Sequence, residues 1–211
     1  MIVIIDYKMG NIKSLENALD FLGCKSCVTN KAEIILSADK IILPGVGAFD
    51  LAMKNLQKLN LIETLNQAVF EENIPILGIC LGMQILADTG EENGPTDGLG
   101  WINGSVRHFS FSDSKLRIPH VGFNSIRFEN KSPNLFNGLA NGADFYFVHS
   151  YHMICERDSD VSSWTNYGEK FVSSVQKGNI FGVQFHPEKS QSNGLTILKN
   201  FISFHGGDIK C

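Results

Sequence analysis

Residues 75–84 read PILGICLGMQ, and the fold turns on how this stretch is read. The apolar run IPILGIC carries no charge and ends on a cysteine, and a helical pattern, LGMQILAD, is expected to begin directly after it. A strand apolar on both faces belongs inside a sheet covered on both sides, as parallel sheets with helical crossovers are. Gly78 and Gly82 stand two positions to either side of Cys80 and reproduce the glycine-x-nucleophile-x-glycine elbow. This tight turn forms only where flanking side chains are absent. At a helix start, free N–H groups and the helix dipole favour thiolate over thiol and can hold an oxyanion. Without a base, Cys80 reads equally well as a small buried hydrophobe.

Outward from this stretch the first half alternates strands and helices. MIVIID reads as a strand, Asn11 as a cap for the helix IKSLENALDFLG ending at Gly23, and CKSCVTN and DKIILPG as further strands. Helices over AFDLAMKNLQKL and LIETLNQAVFEE then lead into IPILGIC. From Trp101 to about Asn179 the pattern shifts to short β-rich stretches, WINGSVRHF, NSIRFE, DFYFVHSYHM and KFVSSVQKG, which read as antiparallel hairpins. A strand, IFGVQFHP, and a helix, LTILKNFISFH, restore the α/β pattern. The 211 residues suit one α/β domain over 1–211 with one core: a mostly parallel central sheet flanked by helices, with an antiparallel strand-rich extension.

Composition narrows the partners. Hydrophobic residues make up 43% and charged residues 19%, enough for a globular core. A net charge of -4 without any Lys/Arg run argues against nucleic acid. The apolar N-terminal run is broken by Asp6, too soon for a signal peptide or a membrane span, so a cytoplasmic protein is expected. Five cysteines at irregular spacing predict reduced thiols, and the CKSC pair Cys24 and Cys27 lacks the second pair of a zinc site.

A base for Cys80 is found in GVQFHPEKS, residues 182–190, where a strand delivers His186 and Glu188 follows two positions later. Imidazole beside a thiol can take its proton and return it to a leaving amine, while a carboxylate on the far nitrogen fixes the tautomer. His108 and His205 read as surface residues, and His120, His149 and His152 as packing or hydrogen-bonding groups in the strand-rich middle. LPGVGAF, residues 43–49, ends a strand with two glycines that let backbone N–H groups turn outward, as an oxyanion hole needs. Rotation of a peptide within Pro44 to Gly47 could gate that hole.

PGVG, GICLGMQ and FHPE together resemble the class I (triad) glutamine amidotransferases, whose fold is flavodoxin-like. IIDYKMGN, LPGVGAF, IPHVGFN, YFVHSY and VQFHPEKSQ extend the resemblance over the whole chain to the glutaminase subunits of imidazole glycerol phosphate synthase. The resemblance implies Cys80, His186 and Glu188 as the triad, with the N–H groups of Leu81, Val46 and Gly47 forming the oxyanion hole. Gly47, Gln84, Glu92, Ser150 and Tyr151 would hold glutamine. Asn11, Phe123, Tyr146 and Lys189 would face a partner. That partner would be a HisF-like (β/α)8-barrel cyclase in a heterodimer, receiving ammonia to make imidazole glycerol phosphate and AICAR. No cofactor or metal is implied. The family usually has tryptophan at Phe123 and glycine at Lys8. A related glutaminase serving a surface-sugar synthase, another cysteine hydrolase of this fold and a non-catalytic binding module are the alternative readings.

Overall fold

Strand β1 (Ile2–Ile5) is IVII, and its alternate side chains enter two different cores. Val3 and Ile5 join one apolar cluster and Ile2 and Ile4 the other, so the sheet to which β1 belongs is buried on both faces. The single core expected from the sequence is therefore two cores separated by a sheet. The computed structural model describes residues 1–111, 116–128 and 134–204, which leaves His205 and Cys211 outside the described residues.

After β1 come α1 (Ile12–Phe21), β2 (Ser26–Thr29), α2 (Ala32–Ile35), β3 (Lys40–Gly45), α3 (Phe49–Lys58) and α4 (Leu61–Asn66), which runs into a π-helical turn over Gln67–Glu71. Next are β4 (Ile76–Cys80), α5 (Leu81–Gln84), β5 (Ala87–Gly90), β6 (Thr96–Asp97), β7 (Ile102–His108), β8 (His120–Ser125) and β9 (Asp144–His149). The chain closes with β10 (Tyr151–Cys155), β11 (Val161–Tyr167), β12 (Glu169–Lys177), β13 (Ile180–Val183) and α6 (Gln191–Ser203). Among the described residues seven strands form the central sheet in the order β11-β12-β13-β4-β3-β1-β2. The five from β13 to β2 run parallel, and β12 and β11 continue antiparallel at one edge. The strand-rich middle thus divides. Part of it extends the main sheet, part forms the sheet β10-β7-β5-β6, and β8 with β9 makes a separate hairpin.

Three expectations need correction. LGMQILAD forms only one helical turn before the chain turns into β5. Ile85, Leu86 and Ala87 are fully buried, and their carbonyls accept from Leu99, Trp101 and Gly100, so tertiary pairing overrides the helical pattern. Asn11 precedes α1 but makes no side-chain capping bond. The strand at NSIRFE lies earlier, over His120–Ser125, because it pairs residue for residue with β9, whereas Arg127 makes only an isolated bridge to Trp164. The Gly23 stop holds: it sits at φ 73, with Cys24 N–H returning to the Leu19 carbonyl.

Candidate active site

Three neighbouring parallel strands, β3, β4 and β13, bring the sequence motifs to one edge. Gly45 pairs with Cys80 at the end of β3 and β4, and Val183 pairs with Ile79 just before β13 releases the chain toward His186. Ligands collect beyond the carboxyl ends of such strands.

Cys80 holds the expected elbow, at φ 55 and ψ -108. A non-glycine residue seldom adopts that conformation, and here the strain turns the thiol out of the strand. The turn closes because Gly82 lies against β3; a Cβ on Gly82 would overlap the Leu43 carbonyl oxygen. One turn of α5 has too few peptides for the helix dipole expected at Cys80, so the charge near the sulfur has to be set by its immediate neighbours.

His186 is buried, and its Nδ1 lies 2.8 Å from Glu188 Oε1, which is itself 4% exposed. The other ring nitrogen, Nε2, has no completed hydrogen bond, and the Cys80 thiol interacts with the same ring. Burial works against charge on this ring, but the hydrogen bonds and charges of Cys80 and Glu188 outweigh it and push His186 up to about 10. An imidazolium between a sulfur and a carboxylate is the charge arrangement of an activated cysteine. The ring is fixed from behind: its backbone N–H donates to the Tyr146 carbonyl at 2.9 Å, and Ser190 Oγ donates to its carbonyl at 2.6 Å.

The oxyanion strand is not arranged as the motif suggests. Val46 N–H donates to the Met9 carbonyl at 2.6 Å, so it is already committed. Gly47 follows at φ 105, a conformation open to glycine, where the chain can turn over. Leu81, the first residue of α5, has no intrahelical acceptor for its N–H.

Of the expected glutamine-holding residues, Gln84 and Tyr151 are tied to each other, and Ser150 and Glu92 are held by neighbouring backbone. Gln84 is buried and its Nε2 donates to the Tyr151 carbonyl at 2.8 Å, while Ser150 accepts Phe109 N–H through its own carbonyl. Glu92 Oε2 accepts Phe49 N–H at 2.9 Å, which anchors it at the start of α3, two residues after Gly47. Of the residues expected at a partner surface, Phe123 and Tyr146 are opposite one another on β8 and β9, with ring centroids 5.6 Å apart, and Lys189 Nζ lies 5.7 Å from the Tyr146 ring centre. Asn11 lines a pocket with Pro44, Gly45, Val46, His186 and Glu188. That pocket opens beside the triad.

Gln184 escaped the sequence reading. It is fully buried, accepts from Gln84 Nε2 at 3.0 Å and lies 3.6 Å from Cys80 Sγ through its own Nε2. Its position within VQFHPEKSQ, two residues before the base on the same extended segment, was the available signal. The histidines of the middle are packing groups as expected. His120 Nδ1 and His149 Nε2 are 3.1 Å apart in a stack with Phe147 and Tyr167, and burial lowers these two rings to about 4 and about 3.

A strand-borne cysteine elbow, a histidine–glutamate pair just beyond the end of the neighbouring strand and a glycine-rich loop on the other side define a cysteine-dependent amide hydrolase on a parallel sheet. The chain belongs to the class-I glutamine amidotransferases, whose family profile matches residues 3–204. Within that class it is similar to imidazole glycerol phosphate synthase subunits HisH. It is 48% identical to HisH 2 of Methanococcus maripaludis, over 96% of this chain and 98% of that one. It is also 48% identical to HisH 1 of Campylobacter jejuni, over 96% and 99%. The solved PurLQS structure from Thermotoga maritima shares the fold at a TM-score of 0.71 and 18% identity, covering 95% of this chain and 96% of that one.

Proposed function

We propose that this chain is the glutaminase subunit of an imidazole glycerol phosphate synthase, a single cytoplasmic domain that releases ammonia from glutamine to a (β/α)8-barrel cyclase partner. The observation carrying this reading is the alignment of Cys80, His186 and Glu188 at adjacent strand ends, in a chain nearly half identical to HisH subunits along its length. With its proton already resting on His186, Cys80 Sγ attacks the side-chain amide carbon of glutamine. The tetrahedral oxyanion is held by the Leu81 N–H and, once it has turned away from Met9, by the Val46 N–H. His186 then gives its proton to the departing nitrogen, so ammonia leaves and a glutamyl thioester remains. Water activated by His186 opens the thioester to glutamate and frees the thiol.

Gln84, Glu92, Gly47, Ser150 and Tyr151 frame the substrate in this scheme. Gln84 has spent its nitrogen on Tyr151 and Gln184, so its oxygen is what it offers glutamine. Asn11, Phe123, Tyr146 and Lys189 form the side from which ammonia passes to the partner. The committed Val46 N–H makes the isolated subunit a poor glutaminase, and docking of the liganded cyclase releases that peptide.

The test is to mix the protein with a histidine-pathway cyclase and its nucleotide ligand and to follow glutamate formation. The expected result is strong stimulation that Cys80→Ala abolishes. Turnover indifferent to cyclase, or stimulated only by a sugar-modifying synthase, would refute the pathway; ammonia release surviving Cys80→Ala would refute the chemistry.

A further inference from the structure

We infer that Gln184 is a positioning residue for the nucleophile, holding Cys80 Sγ in its deprotonated, outward orientation and linking it to the substrate-facing Gln84. The inference deepens the glutaminase reading above and rests on it for the substrate.

Gln184 follows β13 directly and is completely shielded from solvent. A primary amide in such a place is costly unless both of its ends are matched. Its orientation follows from its neighbours. The Tyr151 carbonyl also takes His149 Nδ1 at 2.8 Å and can only accept, so the Gln84 atom 2.8 Å from it is the nitrogen. That same nitrogen lies 3.0 Å from Gln184, which must therefore present its oxygen there and its nitrogen to Cys80. Donors run in one sense from Gln84 to Gln184 to the sulfur.

The sulfur has a second neighbour, the Val148 carbonyl at 3.9 Å, which can be matched only by an S–H. Gln184 can be matched only by a sulfur lone pair. A neutral thiol can make both contacts, whereas a thiolate keeps only the one to Gln184 and strengthens it, so the N–H of Gln184 offsets the repulsion a thiolate would feel from the Val148 oxygen. The titratable groups facing Cys80 are His186, backed by Glu188 on the loop after β13, and Tyr7 beyond β1. All three remain in a Gln184 variant, so any change in thiol reactivity is attributable to the amide.

The experiment follows iodoacetamide labelling of the Cys80 peptide against pH in wild type, Gln184→Met and Gln184→Asn, with thermal unfolding of each. Both substitutions should slow labelling at pH 7 by about tenfold and move its midpoint to higher pH, a shift that looser packing alone would not produce. Wild-type labelling in a folded variant overturns the inference. If neither variant folds, the Gln184 side-chain amide signals in the wild-type NMR spectrum decide: they should move with the labelling midpoint, and signals indifferent to it overturn the inference. Wild-type protein that is stimulated by cyclase while its Gln184 variants keep an unmoved profile sinks this inference alone. A moved profile in a protein that makes no glutamate sinks the glutaminase reading alone.

Discussion

Burial would strip the proton from the His186 ring, yet Cys80 and Glu188 flank it and hold it at about 10. Its folded value lies above the ordinary 6.5, so the stability it contributes is complete below about 6.5 and is lost as pH rises through about 10. The gap in thermal midpoint between wild type and His186→Asn should be widest near pH 6 and close by about pH 10. His120 and His149 carry the opposite sign. Burial depresses both, so their contribution is present above about 6.5 and is lost as pH falls through about 4 and about 3. His149→Asn should flatten the acid limb of the stability profile, a change read from denaturant unfolding at a series of pH values. Gly82→Ala has a different effect: its Cβ would meet the Leu43 carbonyl, part of a strand that cannot move aside. A loss of about 3 kcal/mol or more in unfolding free energy is expected.

At the scale of elements the β8–β9 hairpin reaches from the triad to the surface. Tyr146 on β9 accepts the His186 N–H through its carbonyl, while its ring packs edge-on against Phe123, which is 51% exposed. An exposed aromatic beside Lys189 and the 55% exposed Val121 is the composition of a binding hot spot. Phe123→Ala should weaken cyclase binding by about 2 kcal/mol, measured by titration calorimetry. The single turn of α5 has a comparable logic. Its brevity lets the chain double back through β5, and Glu92 beyond it then reaches the N-terminus of α3.

Across the whole molecule, the site is split between elements that meet only at the carboxyl ends of β3, β4 and β13. Gly45 pairs with Cys80 and, with Val46, lines the pocket that Asn11 also lines, so a partner pressing on that side can reach this loop directly. Gly47 is the hinge in the proposed gating, and alanine there would be strained at φ 105 and would press on Met9 Cε at 3.0 Å. Gly47→Ala should therefore lower cyclase-stimulated turnover about tenfold or more while the complex still assembles, as seen by sizing and a glutamate assay.

The sequence by itself determined the parallel sheet, the elbow at Cys80 and the pairing of His186 with Glu188. Each of these depends on local spacing: an apolar run, glycines two residues to either side, and an acid two residues beyond a base. Only the tertiary structure decided that LGMQILAD stops after one turn, that the Val46 N–H is held by Met9 and that Gln184 faces the sulfur. Those three depend on remote partners: Leu99, Gly100 and Trp101 for the stopped helix, Met9 for Val46, and for Gln184 a cysteine at a separation of 104. A short-range pattern carries no information about which remote group will satisfy a buried donor, because that choice is made by packing and by the cost of leaving a polar atom unpaired.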